Sequence, residues 1–261
     1  MFWVITKKTL ALGSCTVLLL IACLSTAFGG GVPDTLPAAS TGMRELPIYS
    51  VETGEKKVAI SFNAASGASD TDALLGILAA HQVKATFFLC GCWIRNHPEE
   101  ARKLYNAGHE IGNHGDQHLD PIKLTLEDLR KEIGDQAEEL QKQLGITPVL
   151  YRPASGSYNN EVVRTARNMG YEVVQWSVDS LDWKEESVEA IIENVLENEG
   201  LENGAILMFH NDTAYTAQAL DSILTGLEQR GYRICCVSDL IYPPPYELDH
   251  RGRQFSVSAG G

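Results

Sequence analysis

Gly112-Asn113-His114-Gly115-Asp116-Gln117-His118, preceded by His109-Glu110-Ile111, reads as a short strand running directly into a polar loop. Two imidazoles four residues apart can face the same way on a tight loop or helical turn, which suits a divalent metal. A merely polar loop would carry the same residues, so the pair is decided by what surrounds it.

Outward from this stretch the chain alternates between two periods. Short apolar runs predict strands at 57–62, 85–89, 110–113, 149–152, 172–176, 205–209 and 233–237. Between them, helical spacing of apolar residues predicts helices at 71–80, 98–107, 125–144, 161–169, 187–196 and 216–230. Asp70 and Thr125 stand where N-caps belong, and Gly108, Gly145, Gly170 and Gly231 where helices stop. Seven strands joined by helices imply a parallel sheet with right-handed crossovers. The predicted fold is α/β, a (β/α) barrel of seven to eight strands, distorted or incompletely closed, with an open doubly wound sheet as the alternative. No glycine-rich phosphate loop follows any strand, which counts against nucleotide folds.

Composition bounds the function classes. The chain has 261 residues, 44% hydrophobic and 21% charged, with a formal net charge of −13. Without a basic block, nucleic acid is excluded as a natural partner. Lys7 and Lys8 precede an apolar run at 9–28 that is long enough to cross a bilayer. Residues 1–30 are therefore expected to be a signal peptide or membrane anchor that places the rest on the extracytoplasmic side. A secreted form, or a lipoprotein modified at Cys23, is the alternative. Residues 31–55 read as a linker, 56–242 as the folded domain and 243–261 as an irregular tail. Cys90, Cys92, Cys235 and Cys236 match no zinc spacing and read as buried free thiols, with a disulfide as the alternative.

Polar side chains sit just past the expected strand ends. Asn63 follows the first strand, His114 and His118 the third, and Arg152 ends the fourth. Asp179 and Asp182 follow the fifth, and His210 the sixth. In barrels the C-terminal rim gathers such residues from separate strands into one site. His81, His97, His109 and His250 lie outside this pattern and read as structural or exposed.

Five segments in order carry a resemblance. They are Ser61-Phe62-Asn63-Ala64-Ala65, His114-Gly115-Asp116-Gln117-His118, Tyr151-Arg152-Pro153-Ala154-Ser155-Gly156, Asp179-Ser180-Leu181-Asp182-Trp183 and Ile206-Leu207-Met208-Phe209-His210. From Lys56 to about Tyr242 the chain resembles the polysaccharide deacetylases of carbohydrate esterase family four, the NodB type, and most the sporulation-associated branch. The resemblance implies hydrolytic removal of acetyl groups from N-acetylated glycan, peptidoglycan foremost, with a divalent metal. Zinc leads, with cobalt or manganese as alternatives. It implies His114 and His118 as ligands, His210 as general acid oriented by Asp182, and Arg152 as partner of the base. Ser155 would offer an oxyanion N–H, and Trp183, Leu207, Tyr158 and Asp179 would line the substrate pocket.

Two positions depart from the family pattern. Where it has adjacent acids, the general base and a metal ligand, this chain has Asn63 and Ala64. Asp70 is the first substitute ligand expected, ahead of Asp72 and Asp116. An amide cannot serve as base at physiological pH, and loss of a base costs about 10²–10⁴-fold. The departure leaves an impaired deacetylase, a non-catalytic glycan- or metal-binding relative in cell-wall assembly, or a metal-dependent amidase or esterase on a non-sugar acyl group.

Overall fold

The computed structural model describes residues 44–257. The apolar run 9–28 and Cys23 lie outside them, and among the described residues no helix is long and apolar enough to cross a membrane.

The strands are β1 (Ser50–Val51), β2 (Lys57–Ala64), β3 (Thr86–Leu89), β4 (Glu110–Asn113), β5 (Leu150–Tyr151) and β6 (Glu172–Val173). They continue with β7 (Val178–Asp179), β8 (Ile206–His210), β9 (Arg233–Cys235), β10 (Tyr246–Leu248) and β11 (Arg253–Ser256). The helices are α1 (Thr71–Ala80), α2 (Gly91–Asn96), α3 (Pro98–Asn106), α4 (Leu126–Leu144), α5 (Asn160–Asn168), α6 (Val188–Leu196), α7 (Thr216–Gln229) and α8 (Val237–Leu240).

The main sheet is wholly parallel, in the order β6-β5-β4-β3-β2-β8-β7, with β9 pairing to the first residues of β2. Its two edges, β6 and β7, are consecutive in sequence and joined only by Val174 to Ser177. Seven strands laid flat would hold those edges roughly 29 Å apart, whereas such a connector spans at most about 18 Å. The sheet must therefore curl. Residues of the expected linker occupy the seam: Ile48 bridges Val174, and Ser50 bridges Ala205 at the start of β8. The result is an incompletely closed barrel.

The sheet is buried on both faces, as parallel sheets are. Ile60, Phe62, Leu207 and Phe209 pack outward against Leu74, Leu78, Leu220 and Leu224 of the helices. Ala59, Phe88, Leu150 and Ile206 pack with Ile48 and Val51 in a second cluster. Local chemistry fixes the helix ends. Thr125 accepts from the Asp128 N–H at 3.2 Å, Asn159 from Val162 at 2.9 Å and Ser187 from Ala190 at 3.1 Å. Gly145 ends α4 in the left-handed conformation.

Several segments differ from expectation. The expected linker contributes β1, and the expected irregular tail contributes β10 and β11, which form a small sheet in the order β1-β11-β10. The predicted strand 172–176 is cut to β6; Val174 still donates to the Tyr151 carbonyl of β5 at 2.9 Å while bridging Ile48 on its other side. Asp70 stands at the head of α1 without capping it; its carboxylate accepts instead from the Asp212 N–H at 2.8 Å. The four described cysteines are free, and Cys92 alone of them is not fully buried.

Candidate active site

The expected rim residues converge. Asn63, His118, Ser155, Asp179, Trp183 and His210 line one cleft of about 450 Å³, together with Ala65, Gly156, Trp176 and Met208.

On one wall, β4 delivers His114 and His118 with ring centroids 5.0 Å apart. His114 is buried, and its Nδ1–H donates to the Arg152 carbonyl at 2.7 Å, so Nε2 is the nitrogen left to bind. Burial, with His118 adding to it, holds the His114 imidazole well below its usual pKa. Burial also lowers that of His118, with a contribution from His210. Both rings are thus neutral and ligand-competent at pH 7. Glu132, on the buried face of α4, fastens the intervening loop by accepting from the Gln117 and Leu119 N–H groups at 2.8 and 3.2 Å. Gly115 has φ +82°, and a Cβ there would lie 2.8 Å from Glu132 Oε1.

The histidines have one further donor beside them. Cys90 Sγ, His114 and His118 present ligand atoms all within 4.8 Å of one another. Asp70, the acid expected in this role, is not in the group. It is held by Asp212, and Asp182 contributes to its raised pKa, which burial dominates. Asp72 pairs with Lys103 at 2.7 Å, and Asp116 grips Arg95 through both oxygens at 2.6 and 3.0 Å. All three carboxylates are engaged elsewhere.

On the opposite wall, His210 ends β8. Its Nδ1 meets Asp182 Oδ1 at 2.8 Å, leaving Nε2 as the nitrogen free of that contact. Asp182 is fully buried and fully used, because its other oxygen accepts from the His210 N–H and the Thr216 hydroxyl, each at 2.7 Å. The ring is therefore fixed in orientation.

Between the walls lies Arg152, fully buried. Its Nη1 donates to Asn63 Oδ1 at 3.0 Å and Nη2 to the Gln175 carbonyl at 3.1 Å, while Nε has no partner among the described residues. The guanidinium lies 4.0 Å over the Phe88 ring and 5.5 Å from that of Trp176. Gly112 makes room for Phe88, since a Cβ there would come within 2.6 Å of the ring. Burial pushes the Arg152 pKa down to about 9, opposed in part by Asp179. It remains a cation at pH 7, in contact with an amide where a carboxylate would neutralise it.

At the rim, Ser155 is in the left-handed conformation at φ 54°. Trp183 is 56% exposed, an aromatic face turned to solvent. Asp179 accepts from Trp176 Nε1 at 3.2 Å and the Leu181 N–H at 2.9 Å.

Two expected pocket residues lie elsewhere. Leu207 is buried in the outer core, because alternation along β8 turns Met208 and His210 into the cleft and Leu207 away from it. Tyr158 is not among the cleft residues; its hydroxyl meets that of Tyr49 at 3.2 Å and accepts from Arg44. The sequence also under-reads Cys90, Glu132, Trp176, Gln175 and Thr216. Glu132 leaves a trace, an acid within the otherwise mainly apolar stripe Leu129, Ile133, Leu140 of α4.

Comparison with known proteins gives the chain a class. The chain belongs to the polysaccharide deacetylase family, whose profile matches residues 50–174. It is 34% identical over 198 residues to a peptidoglycan-N-acetylglucosamine deacetylase of Bacillus cereus, covering 74% of this chain and 92% of that protein. It is 35% identical over 195 residues to the uncharacterised YlxY of Bacillus subtilis, covering 75% of this chain and 60% of YlxY. Among solved structures, wild-type BA3943 of Bacillus anthracis, described as a CE4 family pseudoenzyme, superposes with a TM-score of 0.72 at 30% identity. That match covers 75% of this chain and 68% of the other. A BA3943 mutant described as having restored enzymatic activity matches with the same TM-score and identity, covering 75% of this chain and 71% of the mutant.

Proposed function

We propose that this protein is a peptidoglycan-directed N-acetyl-glycan deacetylase whose acid and binding halves are assembled and whose base position is disabled by Asn63. The observation that carries the proposal is the cleft itself, with a histidine donor cluster on one wall and the Asp182–His210 pair on the other.

A divalent metal, zinc first and cobalt or manganese next, would be held by His114 and His118 and would polarise the acetamide carbonyl when bound. His210 has Nδ1 bonded to Asp182, so Nε2 is the atom that would hand a proton to the departing sugar amine. Asp182 orients that ring, and Thr216 holds the remaining carboxylate oxygen. Ser155 would offer its backbone N–H to the developing oxyanion. Met208 and Trp176 supply the apolar wall for the acetyl methyl, the role expected of Leu207. Trp183 gives an exposed ring against which a sugar face can lie, and Asp179 a carboxylate at the same rim. Arg152 would orient a carboxylate at position 63, but the Asn63 oxygen it holds does not take a proton from water at neutral pH.

That single amide favours a second reading, a glycan-binding relative without turnover, and BA3943 supports it as a pseudoenzyme of the same fold. The apolar run at 9–28 supports an extracytoplasmic, membrane-tethered location, where peptidoglycan lies. Acetate release from peptidoglycan fragments and N-acetylglucosamine oligomers with zinc or cobalt, measured beside glycan binding, tests the proposal. Slow release that disappears in His210→Ala is expected. Binding without release would select the non-catalytic reading. Hydrolysis of small acyl esters alone would overturn both.

A further inference from the structure

We propose that Cys90 is a metal ligand, its thiolate completing with His114 and His118 the three protein donors of the site in place of the carboxylate that position 64 lacks. The inference rests on the reading that the two histidines hold the ion.

The position of the thiol follows from the sheet. Ala64 is the last residue of β2 and has no donor atom. β2 and β3 run in register with Ala64 beside Leu89, and the next residue, Cys90, donates its N–H to the Ala64 carbonyl at 3.0 Å. The sulfur is therefore supplied one strand over from the missing side chain. The backbone around it is clamped to the histidine loop, since Gly91 N–H donates to Gly115 O at 3.0 Å and Cys92 N–H to Asp116 O at 2.7 Å. At position 91 a Cβ would come 2.0 Å from Asp116 Oδ1, so any side chain there would have to displace that carboxylate. The two backbone hydrogen bonds tie the Cys90 segment to the loop that carries the two histidines.

The chemistry of the set agrees with the geometry. Two imidazoles and one thiolate are zinc donors, at three protein ligands per open catalytic position. Cys90 and His114 are buried while His118 reaches the cleft, so the open position faces the space a substrate would occupy. Binding releases the thiol proton to solvent and leaves the sulfur anionic. A thiolate also selects: zinc and cobalt gain over manganese and magnesium, which prefer oxygen donors. The competing account is that Cys90 is a small core residue packed beside Trp93 and Ile94, as buried cysteines often are.

Cobalt(II) titration of the full chain under reducing conditions separates the two. The expected result is one cobalt per chain, visible bands of a tetrahedral ion and a near-ultraviolet thiolate-to-cobalt charge-transfer band. Cys90→Ser should lose that band, keep the visible bands and bind zinc at least about 10–100-fold more weakly. Cys92→Ser should keep everything. Cys90→Asp should recover zinc affinity without the charge-transfer band, which guards against a variant that merely misfolds. Visible bands without charge transfer in the native chain, or charge transfer surviving in Cys90→Ser, overturn the ligand assignment and leave the histidine site standing. No cobalt spectrum at all overturns the histidine site and this inference with it.

Discussion

Asn63→Asp is the most informative single change, because the structure already contains the partner for the new charge. Arg152 is fully buried, has no carboxylate in contact and holds Asn63 Oδ1 at 3.0 Å. Replacing the amide by a carboxylate needs no rearrangement and converts a charge–dipole contact into a buried ion pair. Breaking such a pair by deleting one partner costs about 3–5 kcal/mol. Asn63 already supplies a neutral acceptor, so roughly half of that, ~2 kcal/mol, is the expected gain. For a domain of this size that raises Tm by roughly 4–8 °C. The guanidinium will hold the new carboxyl below its unfolded pKa of about 3.9. The gain is therefore fully present above that value and lost as pH falls through the folded one. Acetate release should rise about 10²–10⁴-fold, since a positioned base is restored. The paired assay is acetate release from peptidoglycan fragments with zinc, beside thermal unfolding at pH 7 and pH 3. An unchanged rate with a raised Tm would show that position 63 is not the base. An unchanged rate and unchanged Tm would refute the reasoning about Arg152 as well.

Two further outcomes follow from buried groups. Burial, helped by Lys84, lowers His109 to about 4, and its Nδ1 accepts from the Ala85 N–H at 3.2 Å. The folded state thus holds fewer protons than the unfolded one between about 4 and 6.5. His109 should stabilise fully above pH 6.5 and lose that contribution as pH falls through 4. In His109→Asn, which keeps an acceptor, the denaturation midpoint should depend less on pH across that window. Leu207→Ala should cost about 2–5 kcal/mol in urea unfolding, while Met208→Ala should cost less stability and act on glycan affinity or acetate release, measured side by side.

Long periodic helices and their caps were legible because each carries its own signal: Thr125 with Asp128, the stripe through α4, Gly145 at its end. The rim was legible for a similar reason, as polar residues directly after apolar runs mark strand ends. Strands such as β1 and β7 span two residues each and are too short for any period to emerge. Side-chain parity on β8 was also hidden. Both faces of a parallel strand are apolar, so Leu207 and Met208 look alike until the neighbouring strands fix which face turns inward. Asp70 reads as a cap from sequence alone, and only the tertiary fold brings the Asp212 amide to it. Cys90 was missed as a donor because a core thiol and a ligand thiol are the same residue in an apolar run. What separates them is the tertiary fold, which bonds the Cys90 N–H to the Ala64 carbonyl and brings its sulfur beside the two histidines.

The seam between β6 and β7 has a consequence for the order of assembly. Ile48 and Ser50 belong to the earliest part of the described chain, yet their partners Val174 and Ala205 are far along it. As the polypeptide is made from its N-terminus, Ile48 must wait for Val174, and Ser50 for Ala205, before these bridges can form. The pairing between neighbouring β3 and β4 closes much shorter loops and has no such delay. Gln175, whose carbonyl holds Arg152, lies in the connector and donates its own N–H to Ile48 O at 2.7 Å. The buried cation at the centre of the site therefore takes one of its two hydrogen-bond partners from a connector that Ile48, far earlier in the chain, helps to hold in place.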